Sequence, residues 1–225
     1  MSTSHSPGID LEALDAVCFC ALVRRLLTPP DGPASALKVH SAGPSDFDLN
    51  PGAEAELGPP DEPIPAAVLV PVIARDPLSL LLTQRKGGLA ANAGQIAFPG
   101  GKVDPRDRGA LGAALREAEE EIGLEPALVE PLGCLDIYRT VTGFAITPVV
   151  ALVQPGFTLS LNQREVAEAF EVPLPFLMDG ANHQKHSRVY RGHARQYYAM
   201  PYGERYIWGA TAGILKNMHE RLFAT

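Results

Sequence analysis

The sequence predicts an α+β protein, a three-layer α/β/α sandwich more readily than a doubly wound sheet, on three observations. Short apolar runs of strand length dominate from Ala66 onward, two helical stretches interrupt them at irregular intervals, and no βαβ or other internal repeat is present. With 225 residues and 46% apolar content, the chain can form one ordinary domain with a real core, plus an extension.

The opening "MSTSHSPGIDLEALD" lacks the basic start and apolar stretch of a secretory signal. No run approaches the roughly 20 apolar residues that span a bilayer, so a cytoplasmic protein without a membrane partner is expected. Residues 10–27 read as a helix with apolar positions at Leu11, Leu14, Val17 and Cys18, equally suited to packing on its own domain or on a partner. Cys18 and Cys20 read as buried, and with Cys134 they show no C-x-x-C spacing, which argues against a disulfide framework or a zinc site.

Residues 1–64 hold ten acids against three bases and nine of the 21 prolines, and read as the N-terminal helix and a poorly structured acidic, Pro-rich extension. Residues 65–225 hold sixteen acids and sixteen bases, so the formal charge of −7 comes from the extension. That distribution argues against nonspecific nucleic-acid binding. Within the balanced part, Lys185–Arg221 holds seven bases against two acids, which suits either an acidic ligand or a solvated surface.

"AAVLVPVIA" and "LSLLLTQR" read as a β-hairpin across "RDP". A Gly-rich loop follows, broken by one apolar stretch at Gln95–Phe98, and leads into a helix over Gly109–Ile122. "LGCLDIYRT" and "FAITPVVALV" read as strands joined around Val141–Gly143, "AFEVPL" as a strand running into "PLPFLM", and "YIWGATAGILKNMHERL" as an amphipathic helix.

The central helix carries "LREAEEEIGL", with four glutamates in five positions after Arg116. Like charges three or four positions apart on a helix repel, so either water or a cation must relieve them. At about 100° per residue, with Glu117 at zero, Glu121 falls near ~40° and Glu120 near ~300°, while Leu111, Leu115, Ala118 and Ile122 gather between ~100° and ~160°. Glu119, near ~200°, lies off the carboxylate face, and Arg116 lies beside Glu120. Carboxylates at i, i+3 and i+4 suit a hard divalent cation, although an acidic helical face is more often plain surface. Phe98-Pro99-Gly100-Gly101 precedes the helix; its paired glycines permit close backbone approach, and a carbonyl there, as at Gly101, would add an oxygen ligand.

"GGKVDPRDRGALGAALREAEEEIGL" resembles the Nudix box, a glycine and a spaced glutamate followed by R-E-U-x-E-E-x-G-U, where U is apolar. Arg116, Glu117, Ala118, Glu120, Glu121, Gly123 and Leu124 match the second half without a gap. The first half carries one extra residue, with Gly101 as the glycine and Asp104 or Asp107 as the nearest acids. The resemblance implies the Nudix fold, an α/β/α sandwich with a mixed β-sheet, over residues 65–225. It also implies hydrolysis of a nucleoside diphosphate linked to another moiety, with magnesium or manganese held by Glu117, Glu120, Glu121 and Gly101. Arg116 and Glu165, an acid ahead of the last strand, join Glu117 and Glu121 as candidate catalytic residues.

"LLTQRKGGLAANAGQIAFPGG" resembles the coenzyme A pyrophosphatase subgroup signature, L-L-T-x-R, a spacer, L-R-x-H-x-G-Q and F-P-G-G. The "IWG-T" pattern at Ile207–Thr211 is similar to that subgroup too. Ala90 and Asn92 stand where the signature has arginine and histidine. Losing that arginine weakens the expected hold on a 3′-phosphate, for which Arg85 and Lys86 are candidate substitutes; Gln95 and Phe98 complete the substrate-binding set. The resemblance implies a small nucleotide substrate of the coenzyme A type, and the chain is compatible with a homodimer. Two other readings stay open: the same chemistry on ADP-ribose or a dinucleotide, and a non-catalytic Nudix-fold binding module.

Overall fold

The computed structural model describes residues 9–30, 43–52, 62–87, 94–190 and 192–224. At its centre, β1 (Ile64–Ile73) runs parallel to β7 (Phe144–Val153) along their whole length, from Ile64↔Phe144 to Ile73↔Val153. β5 (Val129–Cys134) and β6 (Tyr138–Arg139) pair antiparallel with β7. The result is the mixed sheet expected, and its central strands read as continuous apolar runs because both faces are covered.

Alternate residues of β1 enter different cores. Ala67, Leu69 and Ile73 pack beneath α2 (Gly109–Ile122), while Val70 and Val72 pack on the opposite face with α1 (Ala16–Leu26) and the C-terminal helix. One sheet between two helical layers is the predicted sandwich.

β2 (Ser79–Arg85) forms the expected hairpin with β1, paired at Val72↔Leu80 and Ile73↔Ser79. β1 then pairs with β4 (Gly100–Lys102), and β2 with β3 (Ile96–Ala97) and β8 (Val166–Pro173). This divergence brings the Gly100–Gly101 pair onto the sheet next to α2. β8 runs into the short helix α3 (Leu174–Met178).

Several expectations are corrected. The first helix starts at Ala16 rather than Asp10, because the Asp15 side chain caps it by accepting from the Cys18 N–H at 2.7 Å. Its buried residues are Phe19, Cys20, Leu22 and Val23, whereas Cys18 is exposed and Val17 is 78% exposed. Leu11 and Leu14 precede the helix and pack partly against the core. Thus α1 packs on its own domain.

The basic stretch contains two strands missed in sequence, β9 (Gln184–Tyr190) and β10 (His193–Tyr202), paired with β11 (Arg205–Trp208) in a separate antiparallel sheet. The amphipathic tail is accordingly β11 followed by α4 (Ala210–Leu222). β9 is largely solvent-exposed and offers no apolar alternation to read.

Part of the acidic extension is ordered against the domain. Ser45 bridges to Arg139, and Asn50 exchanges two hydrogen bonds with the Gln196 backbone at 2.8 and 2.9 Å. The rest of the expected linker, residues 31–42 and 53–61, lies outside the described residues, as do Ala90 and Asn92.

Candidate active site

α2 ends at Gly123, whose left-handed conformation (φ 68°) lets its N–H reach the Glu119 carbonyl at 2.9 Å. The buried side of α2 is made by Ala110, Ala113, Ala114, Ala118 and Ile122, with Leu111 and Leu115 only partly buried. On the same wheel these span roughly 320° through 140°. The apolar face therefore centres on alanines rather than leucines, and Glu121 sits in its middle.

Glu121 is 5% exposed and accepts a hydrogen bond from the Gly100 N–H at 3.2 Å. Burial raises its carboxyl pKa to about 7; the Gly100 N–H and the Arg85 guanidinium oppose the rise, and Glu117 and Glu165 add to it. Small neighbours make this burial possible: alanines bring α2 close to the strands, and glycine lets β4 approach. A Cβ on Gly101 would stand 2.5 Å from the carboxyl carbon of Glu117.

Arg116 organises the rest of the face. Its Nε and one terminal nitrogen fork onto Asp107 at 2.9 and 3.0 Å. The other nitrogen donates to Glu117 at 2.8 Å and Glu120 at 3.2 Å, and the fork also reaches the Lys102 carbonyl. Arg116 thus ties the loop carboxylate of Asp107 to Glu117 and Glu120 on the helix. Asp107, the better buried of the two candidate aspartates, orients it; the Arg116 guanidinium holds the Asp107 carboxyl below its usual range. Asp107→Asn is expected to lower turnover about 10-fold with little change in KM, because it disturbs Glu117 without touching substrate; steady-state kinetics check this.

Glu120 is 61% exposed along its side chain and Glu119 is exposed, so the two differ less in exposure than in their neighbours: Glu120 is gripped by Arg116. Glu165 is exposed at the start of β8, with its carboxylate held by Asn162 and its carbonyl by the Lys86 N–H. Lys86 is exposed and its ammonium binds the Gln163 carbonyl at 2.8 Å, so it tethers this loop rather than lining the cleft.

Arg85, Gln95 and Phe98 do line a common cleft of about 220 Å³, together with Trp208, Gly209 and Thr211. The Arg85 Nε is buried and has no hydrogen-bond partner among the described residues, a donor suited to a substrate phosphate. The Thr211 hydroxyl donates to the Ile96 carbonyl at 3.0 Å and fixes the "IWG-T" segment to β3.

Two residues that sequence reading passed over also face the cleft: Asp46, from the acidic extension, and Arg188, from β9. Asp46 accepts from the Tyr138 hydroxyl and the Val141 N–H, both at 2.8 Å, and burial raises its pKa. Neither belongs to a local motif, so no spacing signal marks them.

An all-oxygen face with a buried carboxylate and a glycine cradle fits a hard divalent cation. Among the described residues no three His, Cys, Asp or Glu side chains form a ready-made cage. Arg116 holds Glu117, so a cation would compete with the guanidinium for it.

The α/β/α sandwich with a glutamate-rich helix face beside a glycine pair agrees with the pyrophosphohydrolase arrangement that the Nudix-box resemblance implies. A NUDIX domain model matches residues 63–191, and the chain belongs to the Nudix family. It is similar to the protein called "Uncharacterized Nudix hydrolase NudL" of Escherichia coli K12, 40% identical over 153 residues, covering 68% of this chain and 80% of that one. The same-named protein of Citrobacter koseri is 41% identical with the same coverage. Among solved structures, a MutT/nudix family protein from Enterococcus faecalis aligns at 19% identity with a TM-score of 0.45, covering 72% of this chain and 61% of that one. No described helix is long and apolar enough to cross a membrane.

Proposed function

We propose that this Nudix hydrolase cleaves the pyrophosphate bond of coenzyme A or acyl-coenzyme A, giving adenosine 3′,5′-bisphosphate and (acyl-)4′-phosphopantetheine. The observation that carries this reading is convergence. Arg85, Gln95 and Phe98 of one signature stretch meet Trp208, Gly209 and Thr211, more than 100 residues away, around a single cleft.

Glu117, Glu121, Glu120 and the Gly101 carbonyl would hold magnesium or manganese. When bound, the ion neutralises pyrophosphate oxygens and makes water a better nucleophile. Arg85 binds a phosphate oxygen through its buried Nε–H. Arg116, anchored on Asp107, keeps Glu117 and Glu120 aligned. Glu165, on the loop tethered by Lys86, takes the proton of the attacking water at its carboxylate oxygen.

A panel of coenzyme A, an acyl-coenzyme A, ADP-ribose and NADH, each with magnesium or manganese, tests the assignment. Coenzyme A or its acyl form should give the highest kcat/KM; a higher value for ADP-ribose or NADH would replace this substrate. Glu117→Gln should lose at least ~100-fold in turnover, the scale of one lost electrostatic stabiliser, while Glu119→Gln stays near wild type. Equal losses in both would refute the division of the helix faces.

A further inference from the structure

Residues 45–50 of the acidic extension lie outside the helices and strands of the sandwich, yet they are fastened to it at both ends. The Asp46 N–H donates to the Arg139 carbonyl at 3.0 Å, and Asn50 holds the Gln196 backbone through two hydrogen bonds. Within the segment, Asp48 accepts from the Ser45 N–H and hydroxyl at 2.9 and 2.7 Å, and the Asn50 amide donates to the Asp46 carbonyl at 2.8 Å. A loop held in this way presents its side chains in fixed positions.

Two of those side chains, Asp46 and Phe47, line a cavity of about 70 Å³ with Val141, Tyr197 and Trp208. Asp46, Val141 and Trp208 also line the larger cleft that holds Arg85, so the cavity adjoins the proposed phosphate position. Among the described residues, Phe47 packs with neither apolar core, so the cores give no reason for an aromatic side chain there. Tyr197 and Trp208 meet edge to face at 5.3 Å, and the Arg188 guanidinium lies over Trp208 at 4.3 Å, which holds the indole in place.

Asp46 adds a polar group to these aromatic walls. Its two carboxylate oxygens each accept one hydrogen bond, from the Tyr138 hydroxyl and the Val141 N–H, both at 2.8 Å. An ionised carboxylate has about four acceptor sites, so about two remain for a donor in the cavity. A flat heterocycle with an amine on its edge suits such walls: its faces meet aromatic rings and its N–H bonds meet the carboxylate.

We propose that Asp46 and Phe47 form the base subsite of this Nudix hydrolase and select adenine, Asp46 accepting from the 6-amino group while Phe47, with Tyr197 and Trp208, flanks the ring. A purine with a 6-keto group loses that bond and sets a carbonyl oxygen against the carboxylate. The inference rests on an adenine nucleotide as substrate, a feature common to coenzyme A, ADP-ribose and NADH.

Calorimetric binding of adenosine 5′-monophosphate and inosine 5′-monophosphate to the full chain tests it, since the two share ribose and phosphate and differ at the 6-position. Wild type should bind the adenosine nucleotide at least about 10-fold more tightly, the size of one hydrogen bond to a charged group. Asp46→Asn should bring the two within about 2-fold of each other. Phe47→Ala should weaken both at least about 5-fold and keep their ratio, because a lost stacking surface does not distinguish them.

Equal binding of the two by wild type, binding of neither, or a wild-type ratio in Asp46→Asn overturns the subsite. Guanosine 5′-monophosphate bound more tightly than the adenosine nucleotide overturns it too. Should Asp46→Asn fail to fold, Phe47→Ala decides: unchanged affinity for both nucleotides removes the subsite. A substrate panel led by ADP-ribose or NADH would replace coenzyme A and leave this subsite standing, whereas its failure in the binding experiment leaves pyrophosphate hydrolysis standing.

Discussion

Glu121→Gln is expected to be nearly inactive and, without metal, more stable than the wild type at pH 8. Turnover should fall at least ~100-fold, since the variant loses a charged ligand beside the reacting phosphates. The stability gain follows from burial. The folded state holds the Glu121 carboxyl at a pKa of about 7 against 4.5 in the unfolded chain, equivalent to about 3 kcal/mol.

The folded protein binds the proton more tightly, so the charged group costs stability as pH rises from 4.5 to 7; the cost is complete above 7 and absent below 4.5. Glutamine removes it. For a domain of this size the variant's Tm should exceed wild type by roughly 6–12 °C at pH 8, and the difference should shrink towards zero near pH 4.5. Magnesium or manganese should raise the wild-type Tm more than the variant's, because binding to the folded state alone stabilises it. Thermal melts at the two pH values, with and without metal, give all four comparisons. A variant no more stable than wild type at pH 8 would mean that Glu121 carries no buried-charge cost.

The adjacent glycines should separate fold from function. A Cβ on Gly100 would meet the Ala67 carbonyl oxygen and stand 2.7 Å from the Val68 Cα, backbone atoms that cannot yield without disrupting β1. Gly100→Ala should therefore destabilise by several kcal/mol, on the order of other severe overpacking changes. The three atoms nearest a Cβ on Gly101 all belong to the carboxylate of Glu117, the end of a flexible side chain.

Gly101→Ala should thus melt within about 2 °C of wild type. Its activity should nonetheless fall on the scale of Glu117→Gln, ~100-fold, because Glu117 is pushed off the cation position. Purified variants compared by melting and by turnover decide this. Gly101→Ala with wild-type activity would show that Glu117 has room to work without its glycine cradle.

Much of the fold was legible because periodicity is a local property. The helix over Gly109–Ile122 agrees with its sequence bounds. The three-layer arrangement followed from short apolar strands and helices mixed without a βαβ repeat. The acidic carboxylate face, the glycine pair and the signature stretch were all readable in single short segments.

What needed the tertiary structure was every relation between distant segments. Arg116 could be placed beside Glu120 from spacing, but its anchor on Asp107 depends on how the loop before α2 folds back. Glu121 was assigned to a polar face, yet it lies among alanines because helix and strand approach more closely there than a leucine face would allow. Lys86 looked like a phosphate ligand by position and points instead to the Gln163 carbonyl. Asp46 reaches the cleft from a Pro-rich extension whose composition carried no site signal, and Arg188 from a basic stretch whose composition did not single it out. Hydrophobic period and helix rotation act over one turn or two residues and are written in the chain. The depth of a carboxylate, the partner of a guanidinium and the walls of a cleft depend on which segments share space, and only packing sets that.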